Sequence, residues 1–144
     1  MKKAMVVKIR EFIRPIFLSY RHFILTRIYG MNISSSARIS FRTYLDKTYP
    51  KGIHIGDESY IASGAMILSH DFIKDNKTDT KIGKKCFIGA NAIIMPGVTI
   101  GDSVIVGSGS VVTRDVPSGC IVVGNPVRVI GDNIKTKKFG KIMK

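Results

Sequence analysis

Between Ile55 and Pro117 the chain sets an aliphatic residue at every sixth position: Ile55, Ile61 and Ile67, then, after one interruption, Ile82, Ile88, Ile94, Ile100, Val106 and Val112. A period of six fits neither the 3.6-residue face of a helix nor the two-residue alternation of a strand, so it predicts a solenoid of short repeated units. A second position keeps step with the first. Four residues after every anchor but Ile67 the side chain is small or compact, at Ser59, Ala65, Cys86, Ala92, Val98, Val104, Ser110 and Val116. Glycine directly follows the anchor at Gly56, Gly83, Gly89, Gly101 and Gly107. The expected reason is that a chain turning every few residues needs φ freedom there.

Outside that stretch the pattern changes. Residues from Lys3 to Tyr29 read as one amphipathic helix, with Ile9, Phe12, Ile13, Ile16, Tyr20, Phe23, Ile24 and Ile28 at three- and four-residue spacings. Pro15 marks a kink or the start of a second helical piece. Two kinds of role suit this segment: packing over the open N-terminal end of the solenoid, as repeat proteins require, or against a neighbouring subunit, and lying on an anionic membrane surface. A cleavable leader does not fit, because Glu11 and Arg14 interrupt the apolar run and no small-x-small cleavage site follows. No uncharged stretch is long enough for a membrane span. From Asn32 the six-residue step recurs weakly as Ile33, Ile39 and Leu45, and Asp46–Lys51 breaks phase, so an irregular first coil is expected. A second break is larger: the polar segment Ser69–Lys81 carries no anchor and is expected to leave the solenoid as an exposed loop, where repeat proteins tend to build a binding face. Gly124-Asn125-Pro126 is a turn signal that ends the repeat. The expected organisation is a helical segment over 1–31, a solenoid over 32–130 with a loop at 69–81, and a tail over 131–144.

Charge adds to this picture. The formal net charge is +13, and most of it sits at the two ends. Residues 1–31 hold Lys2, Lys3, Lys8, Arg10, Arg14, Arg21 and Arg27 against Glu11 alone, and the tail holds Lys135, Lys137, Lys138, Lys141 and Lys144. Clustered cations reward nucleic acid, anionic lipid or a phosphorylated ligand, or they are simply a pair of solvated faces. No aromatic-rich basic motif accompanies the charge, so no nucleic-acid partner is expected. Cys86 and Cys120 are too few for a disulfide framework, and Cys86 falls on the compact position, where a small buried hydrophobe belongs. With no Cys/His cluster, no metal site is expected.

Three segments carry a resemblance: Ile82–Thr99 (IGKKCFIGANAIIMPGVT), Ile100–Asp115 (IGDSVIVGSGSVVTRD) and Val123–Ile130 (VGNPVRVI). They resemble the hexapeptide-repeat acyltransferases, the group that includes galactoside, maltose and serine acetyltransferases and many bacterial polysaccharide O-acetyltransferases. The resemblance implies an all-β fold, a left-handed parallel β-helix of triangular cross-section, assembled as a homotrimer with active sites between neighbouring subunits. It implies acetyl-CoA as cosubstrate, a saccharide hydroxyl as acceptor in capsule, exopolysaccharide or O-antigen assembly, and direct transfer without an acyl-enzyme. The expected setting is cytoplasmic, and the charge of the basic amphipathic residues 1–31 suits the inner face of the plasma membrane.

His70, in Leu-Ser-His-Asp, matches the family's catalytic histidine, and imidazole is the side chain suited to taking a proton from an alcohol near neutral pH. His22 lies in the helix and His54 directly before an anchor, and both are weaker candidates. Asp71 either orients His70 or only starts the polar loop, and a carboxylate from elsewhere is the other option. For the cosubstrate, Ala90 and Ser108 match positions whose backbone lines the pantetheine arm. Thr113 and Arg114 match a Thr-Lys pair near the nucleotide, and Arg128 matches a phosphate-binding base. Arginine suits that role through bidentate contact. Gly131 stands where relatives often carry a further basic residue, a charge the lysine-rich tail is able to supply. Phe87 replaces a larger aromatic of the galactoside enzyme, which implies a different acceptor pocket. Other readings remain: acetylation of serine, an amino sugar or an antibiotic; a scaffold; a carbonic-anhydrase-like protein using His54 and His70; or a covalent route through Cys86 or Cys120. Serine acetyltransferases usually carry a longer helical N-terminal region.

Overall fold

The computed structural model describes all residues, 1–144. Helix α1 (Lys2–Phe23) is continuous through Pro15 and ends in a π-helical turn, Ile24–Ile28. The chain then winds in coils of three very short strands. The first coil is β1 (Asn32–Ile33), β2 (Arg38–Ile39) and β3 (Tyr44–Leu45), and the second is β4 (Ile53–Ile55), β5 (Tyr60–Ile61) and β6 (Met66–Ile67). A hairpin, β7 (His70–Asp71) and β8 (Asn76–Lys77), intervenes. The third coil is β9 (Thr80–Ile82), β10 (Phe87–Ile88) and β11 (Ile93–Ile94), and the fourth β12 (Thr99–Ile100), β13 (Ile105–Val106) and β14 (Val111–Val112). A closing pair follows, β15 (Ile121–Gly124) and the antiparallel β16 (Val127–Gly131).

The coils stack into three faces. Face A is β1-β4-β9-β12, face B β2-β5-β10-β13-β15-β16, and face C β3-β6-β11-β14, and every pairing between coils is parallel. Each strand of the four coils ends on an anchor that points inward while the residue before it points outward, so a strand of two residues suffices. The register puts anchor on anchor, Ile61 on Ile88 on Val106 on Val122. All nine anchors and all eight compact positions are buried, which confirms the two-position pattern as the core. A fully buried isoleucine contributes on the order of 2–3 kcal/mol by transfer from water.

Four expectations need correcting. With a 22-residue helix at its start the protein is mostly β and not all-β. The first coil is regular, since Ile33, Ile39 and Leu45 pair in register with Ile55, Ile61 and Ile67. The irregularity lies wholly in the corner that follows Leu45. The 69–81 segment is not a simple exposed loop, because Ser69 and Thr80 at its base are fully buried. The glycines after the anchors do not serve φ freedom. Positive φ falls three residues after the anchor, at Glu58, Gly64, Lys85, Asn91, Gly97, Ser103 and Gly109. The glycines directly after the anchors serve close stacking, since a Cβ on Gly83 would stand 2.7 Å from the backbone of Gly101, one coil on.

At the N-terminal end, Leu25 joins the core and Arg21 donates to the carbonyls of Ser40 and Thr43, at 2.5 and 2.8 Å, which ties the base of the helix to the first coil. At the other end the tail returns along the edge between faces A and B. Ile134 N–H donates to Gly119 O, Thr136 Oγ1 to Lys85 O, and Phe139 N–H to Glu58 O. The Phe139 ring lands edge-on to Tyr60 and beneath the Arg38 guanidinium. The tail is therefore an ordered strap along that edge, whereas Arg128 pairs with Val123 beside the Gly124–Pro126 turn.

Candidate active site

Two corners between faces C and A are enlarged. Leu45 to Ile55 spans ten residues and Ile67 to Ile82 fifteen, where a regular corner such as Ile94 to Ile100 takes six. The first enlargement supplies Asp46, and the second supplies His70 from the coil stacked directly on it.

The Asp46 carboxylate is fully buried, and it accepts from the His70 ring at Nδ1. It also accepts from the backbone N–H of Ser69 at 3.0 Å and of His70 at 3.1 Å through Oδ2, and from Thr48 N–H at 2.9 Å through Oδ1. Burial alone would raise its pKa, but the Ser69 N–H, the His70 ring and the Thr48 and His70 N–H groups outweigh that and hold it at about 2. An ionised carboxylate only accepts, so Nδ1 carries the proton and the lone pair is left on Nε2. The imidazole is about one-third exposed, at 30 %. The base of the site is braced, with Ser69 Oγ donating to Tyr49 O at 2.6 Å and Thr80 Oγ1 to Leu68 O.

Asp71 is not the orienting group. Its carboxylate accepts from the N–H groups of Ile73 at 3.0 Å and Lys74 at 3.1 Å, which makes it the cap of the hairpin turn. Neighbouring residues of the β7 strand point to opposite sides, so Asp71 faces away from the ring that His70 presents to Asp46. Asp46 is the residue that sequence reasoning passed over. The available signal was the constant offset of 22 residues from Ile33, Ile39 and Leu45 to Ile55, Ile61 and Ile67, which puts Asp46 beneath Leu68 and beside the His70 backbone.

The remaining candidates separate by edge. Ala90 and Ser108 occupy successive corners between faces B and C, joined by Gly109 N–H to Ala90 O at 2.8 Å. The next coil reaches that edge at the Gly124–Pro126 turn, beside which Arg128 pairs with Val123. Thr113 and Arg114 lie on the C/A edge, two coils beyond His70, and both are exposed. Within one chain, then, Ala90, Ser108 and Arg128 lie across the whole of face C from His70. Phe87 is on face B, packed on Tyr60 and under Gly140 of the tail, and not beside His70. The other histidines have structural partners: His22 Nε2 lies 3.3 Å from Ser34 O, and His54 sits on face A with Asp79 at 3.4 Å. Cys86 is buried with Sγ 3.0 Å from Gly101 O, and burial pushes its thiol up to about 11, which removes the thiolate a nucleophile needs.

Comparison with known proteins bears on the fold and the family. Residues 79–114 match the family model described as bacterial transferase hexapeptide (six repeats). A Staphylococcus aureus (strain MRSA252) protein provisionally named an acetyltransferase is 37 % identical over 130 residues, covering 89 % of this chain and 80 % of the relative. WcaF of Escherichia coli (strain K12), provisionally named a colanic acid biosynthesis acetyltransferase, is 34 % identical over 83 residues, 58 % of this chain and 46 % of WcaF. Among solved structures, a maltose O-acetyltransferase from Clostridium difficile 630 superposes with a TM-score of 0.61 at 28 % identity, over 89 % of this chain and 88 % of that one. A point mutant of AntD, an N-acyltransferase from Bacillus cereus in complex with an amino-dideoxyglucose nucleotide and coenzyme A, gives a TM-score of 0.63 at 27 % identity, over 73 % and 64 % of the two chains. Neighbours of this kind imply a left-handed winding for the β-helix.

Proposed function

Since the chain belongs to the hexapeptide-repeat acetyltransferases, we propose that it moves an acetyl group from acetyl-CoA to a sugar hydroxyl, with His70 as general base and Asp46 as the residue that positions it. The observation that carries this reading is the buried Asp46 carboxylate on His70 Nδ1, which reserves Nε2 for a proton. His70 Nε2 takes the proton of the acceptor O–H as that oxygen attacks the thioester carbonyl. The carbon–sulfur bond then breaks, and the CoA sulfur leaves with the proton returned from the imidazolium. Asp46 stabilises that imidazolium without becoming protonated itself. Ala90 and Ser108 would let the pantetheine arm lie close to backbone, and Arg128, with Thr113 and Arg114, would meet the nucleotide end.

The division of these residues between two edges supports a homotrimer in which the C/A edge of one copy meets the B/C edge of the next. The sugar acceptor rests on what the relatives are named for, maltose and colanic acid, and these names support a role in the modification of a saccharide or polysaccharide. The test is thiol release from acetyl-CoA across a panel of saccharides, for wild type and His70→Ala. We expect saccharide-dependent release that falls ~10²–10⁴-fold in the variant. Equal rates for both proteins would rule out His70 as the base. CoA binding without any saccharide-stimulated release would point to a different acceptor class.

A further inference from the structure

The helix α1 has its apolar stripe on the wrong side for a cap. At about 100° per residue, Leu18 and Leu25 fall on the side that meets the first coil. Met5, Ile9, Phe12, Ile16, Tyr20 and Phe23 fall on the opposite side, and each is about half to three-quarters exposed. No residue of α1 is fully buried, and only Leu18, Arg21 and His22 are half-buried. The expectation that this stripe packs over the solenoid is therefore corrected: only the end of the helix and the π turn do so, and the stripe faces out along about 27 Å of helix.

Val6 and Ile13 widen the stripe to about 120°, broader than the narrow seam by which two helices pair. Lys8 borders it on one side and Arg10 on the other. Arg10 continues into a cavity of about 480 Å³ between the helix and the first coil, where Arg14 and Arg38 stand beside Ile13, Phe17 and Phe41. This cavity is at the end of the solenoid, away from His70. An apolar face edged by cations and rich in aromatic side chains fits the boundary between headgroup phosphates and acyl chains. A second copy of the segment fits less well, because the seven basic residues of 1–31 against Glu11 would repel their like. The helix is not long and apolar enough to cross a membrane.

We infer that α1 docks the protein on an anionic lipid surface, with the Met5–Phe23 stripe in the acyl boundary and the Arg10 and Arg14 side chains among the phosphates. This does not depend on the proposed reaction. The test is flotation of the full chain with vesicles of phosphatidylcholine alone or with about 30 % phosphatidylglycerol, at about 0.1 and 0.5 M salt. The protein should float with the anionic vesicles and fall off at least about tenfold in high salt and in the Ile9→Glu/Ile16→Glu variant. Both replaced side chains are exposed, so thermal unfolding of the variant should match wild type. Equal flotation with neutral vesicles, or flotation that the double substitution leaves intact, would overturn the inference. So would no flotation at all, and a change of oligomeric state on the same substitution would then assign the stripe to a neighbouring subunit.

Discussion

At the scale of single residues the site turns on Asp46. It is buried with four N–H donors converging on it, and they hold its pKa at about 2, below the ordinary carboxylate range. A depressed carboxylate stabilises the fold above its unfolded pKa and loses that contribution as pH falls through the folded one. The contribution is about 2 kcal/mol near neutrality, fading between about pH 4 and pH 2. Asp46→Asn should therefore be less stable than wild type at about pH 6 in denaturant titrations, with the gap closing toward about pH 3. The same variant should keep its KM for acetyl-CoA while kcat falls ~10²–10⁴-fold, because an amide is able to hold the imidazole in the wrong tautomer. Asp71→Ala should change kcat little, since the Asp71 carboxylate caps the hairpin turn and meets Lys74 at 3.8 Å rather than the His70 ring. His70 was legible in the sequence because its motif is local. Asp46 was not, because a partner 24 positions away becomes visible only when the coils are set in register.

Among the repeated elements, two kinds of glycine do different work. Gly89 has no room for a side chain: a Cβ there would stand 2.5 Å from Ser108 N and 2.7 Å from Val106 O, both backbone atoms of the next coil. Gly109 has open space but a φ of +70°. Asparagine tolerates that conformation better than other side-chain-bearing residues, as Asn91 shows at the equivalent corner. Gly109→Asn should thus be close to neutral in thermal unfolding, whereas Gly89→Asn and Gly89→Ala should each cost about 1–3 kcal/mol or more. Equal losses at the two positions would mean that stacking distance is not what selects glycine after the anchor. The six-residue period made the coils legible, but the reason for glycine after each anchor required neighbouring coils in place.

For the whole molecule, the three edges of the prism carry different features. The C/A edge holds both enlarged corners and His70, the B/C edge holds Ala90 and Ser108, and the A/B edge is bound by the tail. If the site forms where two copies meet, a mixture of His70→Ala chains with Ala90→Trp chains should regain activity that neither has alone. Random assembly of equal amounts would leave about a quarter of junctions with both edges intact. No recovery after denaturing and reassembling the mixture would place His70 and Ala90 in one and the same chain's site. The charge-rich ends were visible in the sequence, but their destinations were not. The tail lysines follow a strap anchored by Thr136 and Phe139, and the helix turns its apolar stripe outward.

By itself the sequence determined the solenoid and its core positions and singled out the candidate histidine, because each depends on spacing along the chain or on a short local motif. Tertiary structure decided which carboxylate meets that histidine, why glycine follows the anchors, which edge each candidate occupies and which way the helix faces. Those are relations between coils offset by 18, 22 or 27 residues. Two insertions of different length fall on one edge, and only the stacking of coils brings Asp46 under His70.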